Sequence, residues 1–185
     1  MTIFTGHMAR LREQIGRKIL QRKKRGIHRE VQVHNFDTAR SASVLFDTTR
    51  SDSFKVIKEF RKFVEGKGIR CTVYGYVPQK EIPQEMLFWK NYAFITRKDL
   101  TWYLKPRGEA VDSFYADDPD ILIDFILDTP LQIQFLVQLS TARFKIGCFT
   151  DRENDYDLMI NLTGPCDIGF FTEQVKHYVA MLNPV

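Results

Sequence analysis

Residues 41–57 read SASVLFDTTRSDSFKVI: an apolar run, then an acid, two hydroxyls and an arginine, then the start of a helical pattern. Val44, Leu45 and Phe46 follow one another with no polar residue between them, as expected of a strand covered on both faces. Val56, Ile57, Phe60, Phe63 and Val64 then recur at helical spacing until EGKG, where Gly66 or Gly68 can take the left-handed cap. A strand that feeds a helix is the repeating unit of a parallel sheet, since the helix carries the chain back to start the next strand.

The same unit recurs along the chain. IRCTVYGYV (69–77) is a second strand, and YAFIT (92–96) is a weaker third one nearer an edge. Between them, Pro83 is placed to open a short helix in PQKEIPQEMLFWKN. Residues 97–119 carry the least pattern, with a short helix near PRGEAVDSF. The second half repeats the first: the strand DILIDFIL (120–127), the apolar helix PLQIQFLVQLSTA, the strand RFKIGCF, the acidic turn TDRENDYD and the strand LMINL. A last helix carries Ile168, Phe171, Val175, Tyr178 and Leu182 on one stripe. The expected fold is α/β, a doubly wound, mostly parallel Rossmann-like sheet of about six strands in the order 3-2-1-4-5-6. That order sets the strands ending at Phe46 and near Asp124 side by side at the switch point, where such sheets bind ligands.

The chain has 185 residues and a formal charge of +4, but the charge is uneven. Residues 1–30 hold nine Lys and Arg against Glu13 and Glu30, a net of +7, which leaves −3 for the rest. Met8, Leu11, Ile15 and Ile19, with Leu20 beside them, step at helical period, and the helix should stop near Gly26. A short extended piece is expected at Val31–Val33. The expected organisation is a basic amphipathic helical arm over 1–30 and a single α/β domain over 31–185. No secretory signal or bilayer-length apolar run is visible. Cys71, Cys148 and Cys166 are odd in number and scattered, as in a protein of a reducing compartment. A cytoplasmic location is the expectation.

DTTRSDS admits two readings. As a ligand site, Asp47, Thr48, Thr49 and Arg50 stand at the carboxyl end of a central strand, where the carboxylate can bind a ribose or act as a base and Arg50 can pair with phosphate. As a helix start, Thr49 or Ser51 caps the following helix and Asp52 favours its positive end. The stretch has neither G-x-G-x-x-G nor a Walker lysine. DFILDTPLQ raises the same pair of readings: Thr129, Pro130 and Gln132 suit an N-cap, N1 and N3, while Asp124 and Asp128 are further candidate ligand contacts. Asp124 in an apolar strand needs solvent, a donor or a cation, and one arrangement sets it facing Asp47 across the crevice. The four histidines and the cysteines form no metal-binding spacing, and neither a metal nor a cofactor is expected.

WKNYAFITRKDLTWYLKPRG interleaves Trp89, Tyr92, Phe94, Trp102 and Tyr103 with Lys90, Arg97, Lys98, Lys105 and Arg107. Single-stranded nucleic acid is bound by that composition, and so is the underside of a loop packed on a sheet edge. In the arm, Arg17, Lys18, Arg22, Lys23, Lys24 and Arg25 are candidate contacts for nucleic acid or an anionic membrane surface, through residues 8–25. Its apolar stripe suits the protein's own body or a second copy in a homo-oligomer equally well.

ARSASVLFD, YGYV, RKDLTWYLKPRG, DILIDF, LSTARFKIG, YDLMI and FFTEQVKHYVAML, in that order, resemble a family of uncharacterised bacterial proteins over nearly the whole chain. That resemblance implies no activity, substrate or catalytic residue. Over residues 120–149, DILIDF followed by LSTARFKIGCF is similar to the N-terminal Rossmann-like domain of heptosyltransferase-type glycosyltransferases. Such enzymes hold their sugar nucleotide largely through a second domain, for which this chain has no room. Three functions follow as expectations. The first is a non-enzymatic binding module recruited by its arm. The alternatives are a nucleotide or sugar-phosphate binder or enzyme with its site at the switch point, and a structural oligomer subunit.

Overall fold

A computed structural model describes residues 2–50, 52–89, 91–164 and 167–183, with the backbone alone for residues 2–6, Glu85 and Leu87. Ser51, Lys90 and Cys166, singled out above, lie outside the described residues. Six strands form one sheet: β1 (Ser41–Asp47), β2 (Arg70–Val77), β3 (Tyr92–Thr96), β4 (Ile121–Asp124), β5 (Phe144–Cys148) and β6 (Leu158–Ile160). Every pairing is parallel, and the order is β3-β2-β1-β4-β5-β6. The expected topology therefore holds, with Leu45 of β1 in register with Asp124 of β4 at the switch point.

Five α-helices accompany the sheet: α1 (Thr2–Lys24), α2 (Ser53–Gly66), α3 (Glu109–Ala116), α4 (Leu131–Leu139) and α5 (Ile168–Met181). The uninterrupted apolar run of β1 has its physical reason in two core layers. Ala42, Val44 and Phe46 pack with Ile57, Phe60 and Val64 of α2 and Phe171, Val175 and Val179 of α5. Leu45 joins Tyr74, Leu122, Val111 and Phe114 of α3, and Ile133, Leu136 and Val137 of α4. A fully buried Val, Leu, Ile or Phe side chain contributes about 1.5–3 kcal/mol, so a strand buried on both faces anchors the whole sheet. Gly68, at φ +80°, turns the chain out of α2 and into β2.

Several local expectations shift. α4 has Pro130 at its N-cap position with no side-chain cap, and Thr129 is buried just before it. α2 has Asp52 at its N-cap, also without a side-chain bond. In the last turn of α5 the buried residue is Val179, and Tyr178 faces solvent, because a stripe at 3.6 residues per turn drifts against the 3-4 step count. Val31–Val33 forms no strand; its tie to the sheet is Gln32 N–H donating to the Arg143 carbonyl over 3.1 Å.

α1 lies along α4. Leu20 packs with Leu131, Phe135 and Leu139, while Met8 and Leu11 of the expected stripe are exposed. The contact is set by a residue without a side chain: a Cβ on Gly16 would stand 2.4 Å from the Tyr103 carbonyl oxygen and 2.7 Å from Leu131 Cδ2. Glycine lets the helix backbone come this close.

Candidate functional site

All six strands point their carboxyl ends to one edge of the sheet, and a cleft of about 610 Å³ opens at that edge. α1 contributes Ala9, Arg12 and Glu13 to its wall. Tyr76 and Pro78 come from the end of β2, and Arg97, Thr101 and Trp102 from the segment after β3. Gln132 enters from the first turn of α4. Cavities of about 300–1,000 Å³ at this edge of an open α/β sheet are the usual seats of small ligands.

The lining is held in place by specific bonds. Gln132 Nε2 donates to the Tyr76 hydroxyl over 2.8 Å, and Arg12 Nε donates to the Trp102 carbonyl over 2.8 Å. Glu13 is paired with Arg17 at 2.6 Å, so its charge is already matched within α1. Burial pushes the Tyr76 phenol above its ordinary pKa, against the Gln132 bond and the charge of Arg97, which keeps it a neutral hydroxyl. What results is two guanidinium groups, an amide, a phenol and an indole around one open volume. Arginine is suited to fork-like recognition of carboxylate and phosphate, and the flat rings offer stacking faces.

The acids and hydroxyls of β1's end stand next to this cleft. Thr48 donates to the Tyr76 carbonyl through both its N–H (3.1 Å) and its Oγ1 (3.0 Å), tying the loop to the cleft's tyrosine. Asp47 Oδ1 accepts from Thr49 N–H at 2.8 Å, a local turn, and Thr49 is exposed. Asp47, Arg50 and Asp128 line a separate hollow of about 30 Å³ beside Phe125 and Ile168. That is about the volume one water molecule takes in the liquid.

Asp124 does not join them. It is fully buried, with Oδ2 accepting from the Tyr156 hydroxyl at 2.7 Å and Oδ1 accepting from Ile126 N–H at 2.9 Å. Burial raises its pKa to about 7, against the lowering effect of those two bonds. Tyr156 lies over Gly147, where a Cβ would meet its ring at 2.5 Å. Sequence reading missed Tyr156 because a tyrosine in an acidic turn gives no sign that it folds inward. It also missed Lys145, which is fully buried in β5 and donates from Nζ to the Val137 carbonyl over 2.7 Å. Burial foremost, then the charge of Arg29, lowers Lys145 to about 8.

The arm's cations divide into two sets. Arg17 bonds Glu13 and Gln134, and Lys24 pairs with Asp155 at 2.6 Å. Lys18, Arg22, Lys23 and Arg25 are exposed. Of the cleft's residues, Arg97 and Trp102 stood in the aromatic–cationic stretch, whereas Arg12 was hidden among the arm's other charges. Among the described residues, no group of three or more His, Cys, Asp or Glu could hold a metal ion, and no helix is long and apolar enough to cross a membrane.

No curated protein and no solved structure matches the chain. Residues 12–182 match a family described as a family of unknown function, DUF6913. That span covers most of α1, all six strands and the whole cleft lining except Ala9, and the chain belongs to this family.

Proposed function

We propose that the protein binds a small anionic molecule carrying a ring, of the nucleotide or sugar-phosphate class, in the cleft between α1 and the segment after β3. The observation that carries this reading is the convergence of Arg12 and Arg97 with Gln132, Tyr76 and Trp102 on one volume at the carboxyl edge of the sheet. The lining offers cationic donors, an amide and a stacking face rather than a nucleophile paired with a base, so the role is binding rather than catalysis. Thr48, with Asp47 and Thr49, acts from behind by holding the loop on Tyr76. Arg50 and Asp128 are contacts for a ligand that extends over the end of β1, and Asp124 supports that region from within. On this reading the role is a cytoplasmic one.

The test is thermal denaturation of the full chain with a panel of nucleoside phosphates and sugar phosphates. A ligand at a hundred times its Kd stabilises the folded state by about 2.7 kcal/mol. For a chain of this size that is a rise of roughly 5–10 °C. Arg97→Ala, at an exposed position, should fold normally and lose the rise. A panel with no effect, or a rise that survives in Arg97→Ala, would sink the assignment.

A second reading rests on the other face of α1. Lys18 and Arg22 lie one turn apart on an exposed line of α1 and Arg25 is exposed just past its end, while Arg12, Arg17 and Lys24 turn to the body. This line suits recruitment to RNA or an anionic lipid surface. Reversing the three charges together should abolish salt-sensitive binding to RNA or to phosphatidylserine vesicles; undiminished binding excludes the helix.

A further inference from the structure

A second groove lies on the far side of the sheet from α1, between α2 and the turn that leads into β3. It holds about 380 Å³; its aromatic lining is Phe54, Phe88, Trp89 and Tyr92, and its charged lining is Lys58, Arg61 and Lys62 with the single acid Glu65. Trp89 stacks on Phe54, with ring centroids 3.4 Å apart and planes at 15°, and meets Tyr92 edge-on at 5.9 Å. These packed rings make a fixed wall. Phe88 is different: it is 82% exposed, at the end of the short 3₁₀ turn Gln84–Phe88 that Pro83 opens. A phenylalanine forgoes about 1.5–3 kcal/mol by leaving its side chain in water, and here the exposed ring continues an apolar surface with the Phe54–Trp89 wall.

The charge around the rings narrows the partner. α2 carries Lys55, Lys58, Arg61 and Lys62 against Glu59 and Glu65, a net of +2 on a body whose remaining charge is negative. Lys58 Nζ stands 5.9 Å from the centre of Phe54, and the Arg61 guanidinium 5.6 Å from that of Tyr92. Lys58 and Lys62 are one turn apart on the exposed side of the helix. Arg61 is paired with Glu65 at 2.7 Å, which leaves Lys58 and Lys62 as the groove's cations. Flat π-faces flanked by these two lysines complement a chain with a flat ring and a negative charge in every unit. An acidic peptide supplies the charge without the regular rings.

We propose that this groove binds single-stranded nucleic acid, with bases stacking on Phe88 and against the Phe54–Trp89 wall while Lys58 and Lys62 meet the backbone phosphates. The site is separate from the α1 cleft, and its occupant is chosen by stacking and charge rather than by base identity.

The experiment is fluorescence anisotropy of the full-length protein with labelled deca-uridylate at several salt concentrations. The expected result is salt-sensitive binding, weakened about tenfold or more by Phe88→Ala, which removes an exposed side chain and should leave the melting temperature unchanged. Lys58→Glu with Lys62→Glu should weaken it as much and flatten the salt dependence. Undiminished binding by Phe88→Ala overturns the proposal, as does equal affinity for a duplex of the same length. Loss of binding in Arg97→Ala would assign the uridylate to the α1 cleft, and loss in the Lys18, Arg22 and Arg25 reversal would assign it to α1's outer face. Either result also overturns the groove. Tighter binding of a glutamate- and phenylalanine-rich peptide than of the uridylate would make the groove a peptide site and end the nucleic-acid reading.

Discussion

The Tyr156 hydroxyl donates to Asp124 Oδ2 across 2.7 Å, joining the segment after β5 to the carboxyl end of β4. An acid buried in this way sets a pH dependence. Its carboxyl titrates near 7 in the folded chain against an ordinary 3.8, because burial disfavours the charge more than Tyr156 and Ile126 N–H support it. Between those values the folded chain holds a proton that the unfolded chain has released. Stability is therefore full at the acid end and falls as pH rises toward 7, by up to about 1.4 kcal/mol per unit. Asp124→Asn should flatten this slope and leave the protein no less stable than wild type at pH 8. Urea denaturation between pH 4 and 8 checks it; parallel slopes for the two proteins would remove Asp124 as the source.

Gly147 bears on the same pair. A methyl there would reach to 2.5 Å of the Tyr156 ring, so Gly147→Ala should push the tyrosine off Asp124 at a cost of about 1–3 kcal/mol. Combined with Tyr156→Ala the cost should be less than the sum, because the side chain that clashes is already gone. A double-mutant cycle by chemical denaturation reads the coupling, and strict additivity would show that the glycine matters for another reason.

On an exposed helix, Gly16→Ala would stabilise by about 1 kcal/mol through helix propensity. Here the opposite sign is expected, since the new Cβ would collide with the Tyr103 carbonyl 2.4 Å away. Helix α1 should lift from α4, the melting temperature should fall, and trypsin should cut faster at Arg22–Arg25. An unchanged or raised melting temperature would mean that the helix accommodates the methyl.

Arg29 carries out several tasks at once. Its NH1 donates to Asp157 Oδ2 and to the Ala142 and Arg143 carbonyls, and its NH2 donates to Asp157 Oδ1 over 2.6 Å. Asp157 in turn accepts from the backbone N–H of Lys145. Both charged side chains are mostly buried, and removing one leaves the other unpaired. Arg29→Ala should cost about 3 kcal/mol or more. Arg29→Lys should restore little of it, because an ammonium cannot span both carboxylate oxygens and two carbonyls. Full recovery by lysine would reduce the pair to simple charge attraction.

The sheet was legible because burial on both faces leaves a direct mark: Val44, Leu45 and Phe46 are consecutive, and Ile121, Leu122 and Ile123 repeat the mark. Ligand-site geometry leaves a fainter one. Arg97 and Gln132 stand in different segments, and only the crossovers that return β3 and α4 to one edge bring them together. The stripe of α1 marks its docking only in part: Ile19 and Leu20 pack on the body, while Met8 and Leu11 stay in water. Gly16, which sets the true contact, contributes nothing to an apolar pattern. Asp124 was recognised as needing a donor, but the donor sits in an acidic turn 32 positions later.

The placement of Arg17 against Gln134, 117 positions apart, also orders events during synthesis. The first helix leaves the ribosome long before the helix it leans on exists. A nascent chain halted before Leu131 would own four strands and every arginine of the cleft, yet lack the wall that Gln132 provides. On the proposed binding role, affinity at the cleft would then serve as a sign of translation carried past that point.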